Sequence, residues 1–214
     1  MRNLIHGFAL LIASAGLTVN STSFAADAWR YKVLLDGDDI GYHNFVLSDS
    51  GDTQTAKIEA EFKVTVLLVT AYAYSHSNTE IWKGNCLQKI NSITNDDGDS
   101  FYVDGALENG HFVVESKAGT LSHPECIMTF SYWKPEFLKQ NKLLNSQTGE
   151  YMAVTISNTG QENITVKGRS TAATKYVLSG QGLDDIELWY SADGRWLRLA
   201  STTADGYRIT YELQ

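Results

Sequence analysis

The chain has 214 residues and an acidic balance, 17 Lys and Arg against 25 Asp and Glu, for a formal net charge of −8. Net negative charge without a basic run argues against nucleic-acid binding and against docking on an anionic membrane surface. Its two cysteines lack a CxxC spacing, which makes a poor zinc signature.

The chain opens MRNLIHGFALLIASAGLTVNSTSFAADAW. Arg2 is a short positive n-region, and residues 8–19 form an apolar core of signal-peptide length, too short to cross a membrane comfortably. Ser23-Phe24-Ala25 is a small-x-small cleavage site. The expectation is a signal peptide over residues 1–25, a mature chain starting at Ala26 (or at Asp27, one residue on), and export. An ordinary N-terminal core helix is the alternative, against which the segment lacks an amphipathic period. No cysteine follows the cut, so no lipid anchor is expected. Removing 25 of the 214 residues leaves 189, with 16 basic and 25 acidic residues and a net charge of −9. That is the size of one domain, 26–214. No later segment approaches the ~20 apolar residues of a membrane span.

Beyond the leader, short β-rich segments alternate with glycine turns. Asp36-Gly37, Asp97-Gly98, Asp104-Gly105, Asn109-Gly110, Asp193-Gly194 and Asp205-Gly206 take positive φ cheaply and close hairpins. Ser50-Gly51, Thr148-Gly149, Thr159-Gly160 and Ser179-Gly180 read the same way. The clearest strand sets Ala56, Ile58, Ala60, Phe62, Val64 and Val66 against Lys57, Glu59, Glu61, Lys63 and Thr65, one buried face and one wet face. The run Val66 to Val69 breaks the alternation and suggests a bulge or an apolar rim. On the next strand Tyr72, Tyr74, His76, Asn78, Glu80 and Trp82 share a face. Further segments are expected near 86–94, 100–103, 111–116, 126–132, 151–157, 162–167, 174–178, 185–190, 195–201 and 207–213.

The stretch HPECIMTFSYWKPEFLKQNKLLNSQTGEY stands apart, holding both prolines and Cys126. Pro135 suits a first helical position, Glu136 suits the positive end of the helix dipole, and Phe137, Leu138, Leu143 and Leu144 give an apolar side. A helix over about 135–144 is therefore expected. About a dozen strands with one helix point to an all-β, mainly antiparallel fold: a curled sheet forming an open or half barrel, with the helix packed on its concave side.

Chemistry is harder to find. No HExxH, GxSxG, SxxK or P-loop is present. His76 and Glu80 share a strand face but sit roughly 13 Å apart along it, so they could share a pocket without touching. His76 is either a polar anchor in an aromatic-lined cavity or a satisfied rim histidine. Tyr72, Tyr74 and Trp82, with Tyr132 and Trp133, either line a ligand cavity or pack a core. Asn95-Asp96-Asp97-Gly98-Asp99 reads as a polar turn, because a calcium loop would need a different glycine position and a later bidentate Glu. In an exported protein Cys86 and Cys126 most simply form one disulfide, with two buried thiols as the alternative. No metal and no cofactor is expected.

The segments LLDGDDIGYHNF, YAYSHSNTEIW, NCLQKINSITND, CIMTFSYWKPEFLKQNKLLNSQTGEY and DIELWYSADGRWLRLAS together resemble a family of exported bacterial proteins catalogued as a domain of unknown function. The resemblance covers nearly the whole mature chain and favours a periplasmic location. The pattern is also distantly similar to open-barrel folds such as the lipoprotein carrier, which is an analogy of fold. The expected function is a periplasmic binding or carrier protein for an apolar or amphipathic ligand such as a lipid, with Tyr72, Tyr74, His76, Trp82, Tyr132 and Trp133 as the lining. The alternatives are an enzyme using His76 and Glu80 in a barrel pocket, and an envelope assembly module with an exposed apolar patch.

Overall fold

The computed structural model describes residues 27–66 and 69–214. The signal-peptide expectation and the irregular run at Val66 to Val69 fall wholly or partly outside them.

Fourteen strands form one antiparallel sheet. They are β1 (Ala28–Leu35), β2 (Asp38–Ser50), β3 (Thr53–Val66), β4 (Val69–Lys83), β5 (Cys86–Asp96), β6 (Asp99–Glu108), β7 (His111–Ser116), β8 (Gly119–Pro124), β9 (Lys142–Leu144), β10 (Tyr151–Val166), β11 (Arg169–Gly180), β12 (Leu183–Tyr190), β13 (Trp196–Thr202) and β14 (Arg208–Leu213). The order runs β8 to β1 without a crossover, then from β1 to β14 and down to β9. The β1–β14 pairing, Tyr31 to Leu213 through Leu35 to Ile209, joins the two halves of the chain. The edges β8 and β9 do not pair with each other, so the barrel stays open.

Period-two patterning explains why this sheet curls one way. On β1, Trp29, Tyr31 and Val33 are buried, and on β3 Ala56, Ile58 and Ala60 are buried. Their charged neighbours stay wet, as on any sheet with one face on the core. Tyr31, Phe45 and Trp196 pack as aromatic neighbours at the centre, with Tyr31 and Trp196 centroids 4.2 Å apart.

After β8 the chain runs from Cys126 into the interior, between the start of β5 and β9. Ile127, Met128, Thr129, Ser131, Trp133 and Phe137 are all buried there. Backbone bonds fix the segment: Leu87 N–H donates to Ile127 O at 3.1 Å and Leu144 N–H to Met128 O at 2.8 Å. Thr129 and Leu144 form a parallel bridge. Cys86 and Cys126 are joined in a disulfide, which ties the start of this segment to the start of β5.

The helix expected over 135–144 is corrected to a 3-10 helix, Pro135–Lys139, followed by the short strand β9. Pro135 does open it, but Gln140 is extended, at φ −86 and ψ 152. The reason lies in the backbone partners available. Leu143 and Leu144 pair with Met152 and Tyr151, and Val154 N–H reaches Asn141 O at 3.0 Å. Sheet bonds and full burial of both leucines replace one further helical turn. The segment 126–132, expected as a strand, is the irregular inner segment just described.

Two turn expectations fail for related reasons. Asp104-Gly105 lies inside β6 and turns nothing. A Cβ at Gly105 would stand 2.8 Å from Phe112 Cε1 and 3.0 Å from Ile90, so glycine is there for close packing. Thr159-Gly160 is a bulge between Asn158 and Gly160 within one long strand, β10. Beyond the bulge the β10–β11 hairpin leans on the outer face of β12–β13. Trp189 Nε1–H donates to Glu162 at 2.6 Å, and Ile164, Ala173, Trp189, Leu197 and Ala200 form a small second core.

Candidate functional site

One inner surface is polar. Along β4 the inward side chains are Tyr74, His76, Asn78, Glu80 and Trp82, and facing them on β5 are Ser92 and Thr94. His76, Asn78, Glu80, Ser92 and Thr94 are all buried. A core built only for packing would place aliphatic residues on these rungs.

Register brings two histidines together. His43 on β2 pairs with Ala60 on β3, and Ala60 pairs with His76 on β4. The two rings therefore flank the Ala60 position on neighbouring strands. His43 Nδ1 lies 3.4 Å from Tyr211 Oη, and its Nε2 is buried without a hydrogen-bond partner. His76 Nδ1 lies 2.7 Å from Thr94 Oγ1. Burial lowers His43 to about 3, helped by the nearby His76, and lowers His76 to about 4. Both rings are neutral at pH 7.

Glu80 is 1 % exposed. Asn78 Nδ2–H and Trp82 Nε1–H each donate to one of its oxygens at 3.0 Å. Burial raises its carboxyl above the usual range, and those hydrogen bonds partly oppose the rise. Behind it Trp82 meets Trp133 edge-on at 5.9 Å, and the Lys134 ammonium lies over both rings.

His43, His76 and Glu80 border a cleft of about 310 Å³. One wall is His43, Phe45, Ile58, Tyr74, His76 and Glu80; the opposite wall is Ile186, Leu199, Ser201, Ile209 and Tyr211; Phe130 and Tyr132 of the inner segment lie between them. The rim is the β9–β10 turn, which is held against β4 and β5. Tyr74 Oη–H donates to Gln147 Oε1 at 3.2 Å, Gln147 Nε2–H to Asp96 at 3.0 Å, and Ser92 Oγ–H to Ser146 O. Asn145 shapes this turn by accepting from Gln147 N–H at 2.8 Å.

Of the residues singled out from the sequence, Tyr74, His76, Glu80 and Tyr132 border this cleft. Tyr72 does not; its hydroxyl donates to Asp96 at 2.8 Å. Trp82 and Trp133 do not either, and both are packed in the main core. His43, Gln147 and Tyr211 were missed. Alternation places His43 on the face of Phe45, but only the β2–β3–β4 register shows that it meets His76. Among the described residues no group of three or more His, Cys, Asp or Glu side chains gathers closely enough to hold a metal ion.

Strand order, inner segment and cleft together define an open antiparallel β-barrel whose interior is part plugged and part hollow. The chain belongs to the family described as a domain of unknown function, DUF6134, which matches residues 31–214. Its fold is similar to the crystal structure of a β-barrel-like protein of domain of unknown function DUF1849 from Brucella abortus. That match has 13 % identity and a TM-score of 0.62, over 88 % of this chain and 95 % of that one. A search of curated proteins finds no match.

Proposed function

We propose that this is an exported, periplasmic binding or carrier protein that holds an apolar or amphipathic small molecule between its sheet and its inner segment. The observation that carries the reading is the cleft. Most of its lining surface is apolar, from side chains that include Phe45, Ile58, Ile186, Leu199 and Ile209, and polar groups line it too, with His43 and His76 together on one wall, Ser201 and Tyr211 opposite, and Gln147 at the rim. Ligand sites have this composition, and about 300 Å³ is the lower end of their size range. At ~30 Å³ per water-sized group the enclosed part takes roughly ten non-hydrogen atoms. That suits a single chain or a small ring system, and a diacyl lipid only by one end.

The test is native mass spectrometry of protein exported with its leader and purified without detergent, followed by organic extraction. The expected result is a stoichiometric adduct that extraction removes and that is absent from Ile209→Trp, which fills the cleft. A ligand-free mass for the wild type would count against the reading.

A second reading, an acid–base enzyme, is favoured by one observation: His76 and Glu80 border the same cleft. It ranks below the first because both carboxyl oxygens of Glu80 are already engaged. It predicts that His76→Ala and Glu80→Gln each abolish turnover of a substrate while the disulfide and the far-ultraviolet spectrum stay unchanged.

A further inference from the structure

We infer that the polar end of the cleft selects an uncharged, hydrogen-bond-accepting head group, a ketone, ester or quinone-type carbonyl, over carboxylates, phosphates and ammonium groups. The inference rests on the binding reading above and names the ligand class for it.

Three observations carry it. The first is the supply of free donors. When the Tyr211 hydroxyl donates to His43 Nδ1 and the Thr94 hydroxyl to His76 Nδ1, each neutral ring carries its proton on Nε2. His43 Nε2 is buried and has no hydrogen-bond partner among the described residues. A buried donor left unpaired carries its full desolvation cost, which a ligand acceptor would recover. Tyr132 also lines the cleft and carries a further hydroxyl donor.

The second observation is the lack of a cation. Among the described residues no Lys or Arg lines the cleft, and the acidic residues that do are Glu80 and Asp184. A carboxylate or phosphate would lose its water and gain no opposite charge, which is a net cost in a low-dielectric site. Neutral imidazoles donate hydrogen bonds but supply no charge to offset that loss.

The third observation concerns the opposite sign. An ammonium head would need a free carboxylate inside. Glu80 is buried, and both its oxygens already accept from Asn78 and Trp82. Asp184 is exposed at the rim, where water screens it. A carbonyl oxygen needs donors alone, and the cleft that both rings border presents them. The apolar wall opposite accepts the rest of the molecule.

The experiment is isothermal titration calorimetry of the whole mature protein with three probes of similar length: octanoate, octylammonium and 2-decanone. The ketone is expected to bind at least tenfold more tightly than either ion. In His43→Phe/His76→Phe, which keeps ring volume and removes both donors, ketone affinity should fall at least tenfold. If octanoate or octylammonium binds as tightly as the ketone, the head-group inference is overturned while binding in the cleft stands. If none of the three binds, the binding reading itself falls. Should the double variant fail to fold, the wild-type ranking of the three probes decides the question alone.

Discussion

Acidification should destabilise this fold through its two inner-wall histidines. Burial holds His43 at about 3 and His76 at about 4, against about 6.5 for an imidazole in an unfolded chain. The folded pKa is lowered in both cases. The unfolded state therefore binds more protons between these values, and the stability these rings contribute, full above about pH 6.5, is lost as pH falls toward 4. At about pH 4.5 each unfolded imidazole lies about two units below its pKa, worth about 1.4 kcal/mol per unit. Each ring then removes roughly 2.5 kcal/mol and the pair roughly 5 kcal/mol, a large share of the 5–15 kcal/mol that holds a typical domain together. Glu80 acts in the opposite sense. Its raised carboxyl pKa means that its contribution grows as pH falls toward the unfolded value, so wild type should be compared with Glu80→Gln as well. The assay is urea unfolding from about pH 7.5 to about pH 4.5. The wild-type midpoint should fall steeply with little change in slope, and His43→Phe and His76→Phe should each abolish about half of the fall. The reasoning is refuted if the folded-state imidazole resonances titrate between about pH 6 and 7. It is also refuted if stability in the Glu80→Gln background stays flat down to about pH 4.5.

Three further predictions concern the scaffold. Cys86→Ala/Cys126→Ala opens a loop of sequence separation 40 and should lower unfolding stability by about 4 kcal/mol on the chain-entropy account, read from the urea midpoint. Gly41 has φ +143, and a Cβ there would stand 1.9 Å from Glu61 O across the β2–β3 ladder. Gly41→Ala should therefore cost several kcal/mol or leave no folded protein, as judged by thermal melting. Trp196 is fully buried and lies against Tyr31, Phe45 and Tyr132. Trp196→Ala should cost about 3–5 kcal/mol and shift the near-ultraviolet spectrum.

Much of the sheet could be read from period-two patterning, because one face of each strand is buried and the other is wet. The expected segment at 56–66 corresponds to β3, and the hairpin turns at Asp36-Gly37, Asp97-Gly98 and Asn109-Gly110 fall where Asp36, Asp97 and Asn109 adopt positive φ. Glycine misled where it served packing or a bulge, at Gly105 and Gly160, since local sequence does not show what a Cβ would meet across the sheet. The strand β8 was overlooked because nearly all of it is exposed, leaving no alternation to see. The central stretch was misread as a helix for a related reason. Leu143 and Leu144 suit a helical face, but their backbone partners come from Met128, Met152 and Tyr151, residues whose proximity is set by the fold. The site was half legible. Tyr74, His76 and Glu80 lie on one strand, so alternation grouped them. His43 and Tyr211 are 168 residues apart and meet only because β1 pairs with β14.

The distribution of polar groups inside the barrel separates a packed end from a hollow one. At the packed end the inner segment brings Ile127, Met128, Phe137, Leu143 and Leu144 to full burial, and the disulfide anchors that segment to β5. At the hollow end the wall carries His43, His76 and Tyr74 over small residues such as Ala60 and Thr94, and the inner segment reaches only as far as Phe130 and Tyr132. Leaving His43 Nε2 and the nearby Asn78 Oδ1 without partners costs stability. Replacing such groups with aliphatic residues would relieve that cost and close the cleft in the same step. The proposed ligand would account for a wall that keeps both the unpaired donor and the empty space beside it. Ile209→Leu, which leaves the space open, should therefore preserve ligand retention, whereas Ile209→Trp should abolish it while raising the unfolding midpoint or leaving it unchanged. If Ile209→Trp destabilised the protein and still retained ligand, the hollow end would not be where the ligand sits.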